Sequence, residues 1–192
     1  MRRVLRGSPV RRQVATAESV SSPRARAAAR TARPSTPVFV IDTGDFEAIT
    51  GINIHRGCLA LVERPPLKSV EEVTSGASRV IVLDGVANAD NVGGVFRNAA
   101  AFAADAVLLS HDSCDPLYRK AIRTSMAAVL RVPFARCGGG RQNLERMRAA
   151  GFTLVAFTPS ETAEPLDTFA ARAAGLKLAL AFGAEGRGSR PR

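Results

Sequence analysis

Five short apolar runs set the limits on what this chain folds into. From Ser78 onward, "RVIVLDG", "DAVLLS", "VPFAR", "FTLVAFT" and "LKLALAFG" are apolar almost throughout, and helix-like stretches separate them at about 91–103, 116–130, 142–150 and 165–171. A strand covered on one face alternates apolar and polar residues, whereas a continuously apolar strand is covered on both. Such strands joined by helices predict an α/β fold: a doubly wound, mostly parallel sheet with right-handed crossovers and helices on both faces. No apolar run approaches the roughly 18 residues a membrane span requires.

The rest of the chain divides by composition. Residues 1–36 are rich in Arg, Ala, Ser and Pro without aromatic residues, which predicts a basic, disordered tail, with a targeting sequence or a mis-read start as the alternatives. Within 37–66, "VFVID" reads as a strand, "GDFEAIT" as a short helix and "GCLALVER" as a second strand, too little to bury a core alone. "ERPPLKS" reads as a linker into the main domain at 67–192. The net charge of +10 points to nucleic acid, but residues 1–36 hold nine arginines against Glu18, leaving eighteen basic and sixteen acidic side chains for the remainder. Cys58, Cys114 and Cys137 are odd in number and lack CxxC spacing, which suggests neither a disulfide framework nor a zinc site.

In open α/β sheets ligands bind beyond the carboxyl ends of the strands, so the loops after Leu83, Leu109, Phe157 and Phe182 carry the interest. After the first, Asp90 is placed to cap a helix whose opening turn holds Gly93 and Gly94, leaving amides open to an anion, with Arg97 one turn on; equally, Asp90 merely caps and Arg97 is a surface charge. After the second, "SCDPLYRKAIRTSMAAVLRVPF" puts Arg119 and Arg123 on one helical face beside Lys120, a stripe suited to a polyanion or simply to water. After the last, Gly183, Gly186 and Gly188 surround Glu185 in a loop that either exposes backbone groups to a ligand or is a flexible end. GxGxxG after the first strand and the GxxxxGK phosphate loop are both absent, which removes the main support for dinucleotide and P-loop readings.

Taken in order, "ADNVGGVFRNAAAF", "YRKAIRTSMAAVLRVPF" and "LAFGAEGRG" resemble the three motifs of the SpoU/TrmH family of RNA 2′-O-ribose methyltransferases, in the knotted SPOUT superfamily. "ITGINIHRGCLALVERP" resembles the link that joins a small RNA-binding domain to the methyltransferase in two-domain members, so 37–66 would be a remnant of that domain. The cysteine usage fits a reducing, cytoplasmic compartment, and the resemblance implies a homodimer that binds S-adenosyl-L-methionine in a trefoil knot and methylates a ribose 2′-OH of tRNA or rRNA, with no metal. It further implies that Asn91, Arg97, Ser125 and Glu185 belong to the active site. Thr158, Gly183, Gly186 and Gly188 would border the cofactor, and Arg97, Arg119 and Arg123 would contact RNA.

The match has departures. Family members continue beyond the third motif into a strand, a loop and a helix that complete the knot, so the resemblance implies a truncated domain with an incomplete knot. Its alternative function is an inactive RNA-binding remnant or a fragment. Ala104 and Ala127 stand where the family tends to carry glycine, which would crowd backbone turns.

Overall fold

The computed structural model describes residues 10–16, 37–51, 58–136, 138–157 and 160–183. The chain forms two compact units, Met1–Pro66 and Leu67–Arg192.

The first unit is built on a three-stranded sheet. Its central strand, β1 (Val10–Thr16), pairs parallel with β2 (Val38–Ile41) and antiparallel with β3 (Cys58–Val62). The expected disorder through residue 36 is therefore corrected over 10–16. Composition averages this stretch with its Arg-rich neighbours, whereas the hydrogen bonds that order it come from strands far along the chain. Helix α1 (Thr43–Thr50) follows β2, buries Phe46, and stops at Gly51, whose φ of 66° suits glycine.

The second unit opens with a helix absent from the sequence reading, α2 (Val70–Thr74). Ser69 and Glu72 form a reciprocal capping box: the Ser69 amide donates to the Glu72 carboxylate at 2.6 Å and the Glu72 amide donates to the Ser69 hydroxyl at 3.1 Å. Val70 and Val73 then face the core.

All the strands of the five-stranded sheet are parallel: β4 (Arg79–Asp84), β5 (Ala106–Leu109), β6 (Phe134–Arg136), β7 (Thr153–Ala156) and β8 (Leu178–Gly183), in the order β6-β5-β4-β8-β7. β5 is buried along its whole length and β4 at all but its two end residues, as their apolar sequences require. On one face Ile81, Leu83, Val107 and Leu109 pack against α3 (Ala89–Ala101), which contributes Val92, Phe96 and Ala99, and against α4 (Arg119–Thr124) with the 3₁₀ turn Ala128–Leu130. On the other, Val80, Val82, Ala106, Leu108 and Ala135 pack against α2 and α5 (Gly140–Ala149), which supplies Met147. The last helix, α6 (Leu166–Arg172), connects β7 to β8. Each fully buried side chain of this size contributes roughly 1.5–3 kcal/mol relative to exposure. Phe96 also meets Phe134 edge-on, ring centres 5.8 Å apart.

The doubly wound parallel sheet is thus the architecture of residues 67–183, while the expected knot falls on residues outside those described. The helix expected over 116–130 is corrected. It comprises α4 and the 3₁₀ turn, separated by Met126 and Ala127 with φ of 52° and 63°. Two consecutive left-handed residues cannot continue a helix, and the apolar periodicity that runs across them carries no sign of the break.

Candidate active site

From β4 the chain steps outward through β5 to β6, then crosses to the far edge at β7 and returns with β8 beside β4. Open sheets of this kind bind ligands beyond the carboxyl ends of the strands at such a reversal, which directs attention to the ends of β4 and β8.

Helix α3 follows β4 at this end of the sheet. Its cap is Asn88, whose Oδ1 accepts from the Asp90 amide at 2.8 Å; the expectation that Asp90 caps is corrected. Because the helix starts two residues earlier than expected, the Val92 amide already bonds the Asn88 carbonyl at 3.0 Å. The amides of Gly93 and Gly94 therefore lie inside the helix and are not open to an anion. Gly93 serves packing instead: a Cβ there would stand 1.9 Å from Thr124 Oγ1 and 2.8 Å from the Ala121 carbonyl. Gly94 faces open space. Asn91 and Arg97 are both exposed on α3, and at 100° per residue they sit about 120° apart around its axis.

Helix α4 packs against α3. Lys120 bonds the Asp90 carboxylate at 2.7 Å, and that hydrogen bond and charge push the lysine above its ordinary pKa. Thr124 Oγ1 donates back to the Lys120 carbonyl at 3.0 Å and lies 3.4 Å from the Ala89 carbonyl of α3. Arg119 and Arg123 are exposed on the same helix. Ser125 is buried, and its hydroxyl donates to the Ile122 carbonyl at 2.9 Å, so its side chain bonds back to α4. The turn after it holds the left-handed Met126 and Ala127, with the Met126 side chain exposed. At the end of α3 the left-handed position is Ala103, with φ of 53°, one residue before the expected crowding at Ala104. Non-glycine residues in this conformation cost roughly 1–2 kcal/mol each, and such strain gathers at functional turns.

Polar side chains tie the loops together beneath these helices. Ser110 Oγ accepts from the Gly85 amide at 2.8 Å and Ser113 Oγ from the Val86 amide at 3.1 Å, with the two hydroxyls 3.1 Å apart. The Cys114 amide returns a bond to the Val86 carbonyl at 2.9 Å. Arg136, at the end of β6, donates to the carbonyls of His111 and Ser113. None of these partners stood out in the sequence, because Ser, Gly and a lone Arg in loops read as ordinary turn chemistry. Burial pushes the Cys114 thiol above its ordinary pKa, the Asp115 charge adds to this, and Arg136 opposes it, so this cysteine is poorly suited to nucleophilic work.

On the β8 side, Gly183 closes the strand opposite Asp84. Phe157 and Phe182 stack there with ring centres 4.9 Å apart and planes 10° from parallel. Alongside lies a cleft of about 490 Å³ lined by β7 and by Phe157, Ala163, Glu164, Leu166, Phe169 and Arg172. Arg172 forms a two-pronged pair with Glu164, which holds that carboxyl below its ordinary pKa. Thr158, Glu185, Gly186 and Gly188 lie outside the described residues. Among the described residues no group of three or more His, Cys, Asp or Glu could hold a metal ion, and no helix is long and apolar enough to cross a membrane.

The structure thus puts Asn91, Arg97, Arg119 and Arg123 on two helices packed together by Gly93, and Gly183 at the adjoining strand end. Three comparisons with known proteins bear on this arrangement. The sequence profile of the SpoU rRNA Methylase family matches residues 78–192. An uncharacterised tRNA/rRNA methyltransferase of Mycobacterium bovis is 41% identical over 152 residues, 79% of this chain and 53% of that one. A 23S rRNA (guanosine-2′-O-)-methyltransferase of Vibrio vulnificus is 28% identical over 71% of this chain and 56% of its own length. The chain therefore spans about half the length of the curated relatives it matches. Among solved structures, a SpoU methyltransferase of Streptomyces viridochromogenes in complex with AdoMet superposes with a TM-score of 0.70 at 21% identity, covering 95% of this chain and 68% of its own; at that identity the likeness is one of fold.

Proposed function

The chain belongs to the SpoU rRNA methylase family, and from that premise we propose that it transfers a methyl group from S-adenosyl-L-methionine to a ribose 2′-OH of tRNA or rRNA, as a cytoplasmic homodimer. The observation that carries this reading is the pair of packed helices bearing exposed Asn91, Arg97, Arg119 and Arg123, the first of them following β4, whose end Asp84 pairs with Gly183 at the end of β8. The 2′-O position is further supported by the named activity of the Vibrio relative. Residues 67–192 would form the methyltransferase domain, and the first unit, with β1 at the centre of its sheet, an RNA-binding domain.

The residues at the β7 and β8 ends fit an adenosyl group. The Phe157 and Phe182 rings give an apolar face, and a Cβ at Gly183 would meet nothing within 4 Å among the described residues. Phe157, Phe182 and Gly183 would border the cofactor together with Thr158, Gly186 and Gly188. When bound, it supplies a methyl already activated by a positively charged sulfur.

The chain's own task is to make a poor nucleophile react. A ribose hydroxyl must be held in line with the methyl and lose its proton as the bond forms. The guanidinium of Arg97 would hold the adjacent phosphate and stabilise developing negative charge rather than act as a base. Asn91, as an amide, donates and accepts at once and would orient the ribose. Arg119 and Arg123 would hold the flanking phosphates. Glu185 would complete the site as a carboxylate, and Ser125 would support the turn that borders it.

The test is transfer of labelled methyl from S-adenosylmethionine to bulk tRNA and rRNA, followed by digestion to nucleosides. Label in 2′-O-methyl nucleosides, lost in Arg97→Ala, supports the reading. Label in a base, or none with a folded protein that binds RNA, would replace it with base methylation or an inactive RNA-binding remnant respectively.

A further inference from the structure

The sequence motifs leave Arg136 without a role, yet it stands at the centre of the polar connections under the site. β6 ends at Arg136, opposite Leu109 of β5. Its Nη2 donates to the carbonyls of both His111 and Ser113, in the loop leading from β5 to α4. The same loop holds the preceding one: Ser110 and Ser113 accept the amides of Gly85 and Val86, and the Cys114 amide donates to the Val86 carbonyl. Residues 85–88 lead directly into α3, which bears Asn91 and Arg97; the loop Arg136 grips leads into α4, which bears Arg119 and Arg123.

We propose that Arg136 is a positioning residue for methyl transfer. Through one guanidinium it fixes the β5–α4 loop, and through that loop's serines it fixes the start of α3, so the RNA-facing side chains of the two helices keep one spacing. The inference rests on the methyltransferase reading. Two features favour it over ordinary packing. Both bonds leave the single Nη2, whose two hydrogens are fixed in the guanidinium plane, an aim that a lysine ammonium on its flexible stem does not keep. The Nε atom is buried with no hydrogen-bond partner among the described residues, a costly state that persists where surrounding contacts over-determine the side chain.

The test uses the full chain with Arg136→Lys, Ser113→Ala and the double variant, read by amide hydrogen exchange and by methylation kinetics. Arg136→Lys should speed exchange at Gly85, Val86 and Cys114 by about tenfold while leaving the amides of β7 and β8 as they are. Ser113→Ala, which removes one hydroxyl and leaves the gripped carbonyl, should act at Val86. The double variant should exchange no faster than the worse single one, since both act through one connection. In RNA methylation, counted per cofactor-binding site, Arg136→Lys should lower kcat about tenfold with the KM for S-adenosylmethionine unchanged. Unchanged exchange at Gly85 and Val86, or a loss of activity carried by the cofactor's KM, would overturn the proposal. A wild-type chain that transfers no methyl overturns the functional reading instead, and exchange still decides whether Arg136 ties the loops. Should Arg136→Lys fail to fold, the kcat and KM of Ser113→Ala decide the matter.

Discussion

Gly93 and Gly94 are neighbours in sequence and opposites in the structure. A methyl at Gly93 would overlap the Thr124 side chain and press on the Ala121 carbonyl, a backbone atom that cannot yield cheaply, whereas a methyl at Gly94 meets nothing within 4 Å. Gly93→Ala should therefore force α3 away from α4 and lower stability by about 1–3 kcal/mol, the usual cost of overpacking. Gly94→Ala should raise stability by about 0.5–1 kcal/mol, because alanine loses less backbone freedom than glycine in a helix. Urea unfolding of the two variants checks both signs. Equal effects would mean that α3 and α4 do not approach as closely as described. The sequence announced a glycine pair, but which glycine faces a neighbour depends on where the helix begins, and that depended on Asn88.

At the scale of the element, the start of α3 shows how local chemistry decides geometry. Asn88→Ala removes the acceptor of the Asp90 amide and should cost about 1 kcal/mol of stability. It should also loosen the turn that carries Asn91, which exchange at the first amides of α3 would register. Asp90, expected from sequence to be the cap, instead holds Lys120 across the helix pair. Its partner's raised pKa gives the sign of a pH effect. A lysine whose folded pKa lies above its unfolded value contributes stability that is fully present below the ordinary value of 10.5 and is lost as pH rises through the folded one. The stability difference between wild type and Lys120→Met should thus be steady near neutral pH and vanish in strong alkali. It should be small throughout, because both side chains are about half exposed and screened by water. A difference that grew with pH would contradict the pairing. The capping box at Ser69 and Glu72 was present in the sequence as S-x-x-E but followed a proline-rich stretch, and so read as linker.

For the whole molecule, legibility followed the range of the interactions. The five parallel strands could be read because burial on both faces writes itself into each strand separately, residue by residue. β1 could not, since its partners Val38–Ile41 and Cys58–Val62 are remote and its own residues are mixed with arginine. The loop network around Arg136 was hidden for the same reason: its bonds join residues 23 and 25 positions apart. Charge, by contrast, is fully visible in sequence, and its uneven distribution makes a prediction about RNA binding. Residues 1–66 carry eleven arginines and five acidic residues, and residues 67–192 carry sixteen basic against twelve acidic side chains. The second unit has its own two-faced core, so residues 67–192 can be compared with the full chain. Each phosphate neutralised on a single strand steepens the dependence of log affinity on log salt by about 0.7. If the arginines of the first unit act as phosphate contacts, removing that unit should flatten the slope by about 2 or more. If the second unit selects the RNA, as proposed, the preference among RNAs should stay unchanged. Equal slopes for the two chains would place the phosphate contacts on Arg97, Arg119, Arg123 and their neighbours alone. A lost preference would mean that the first unit reads the RNA as well as holding it.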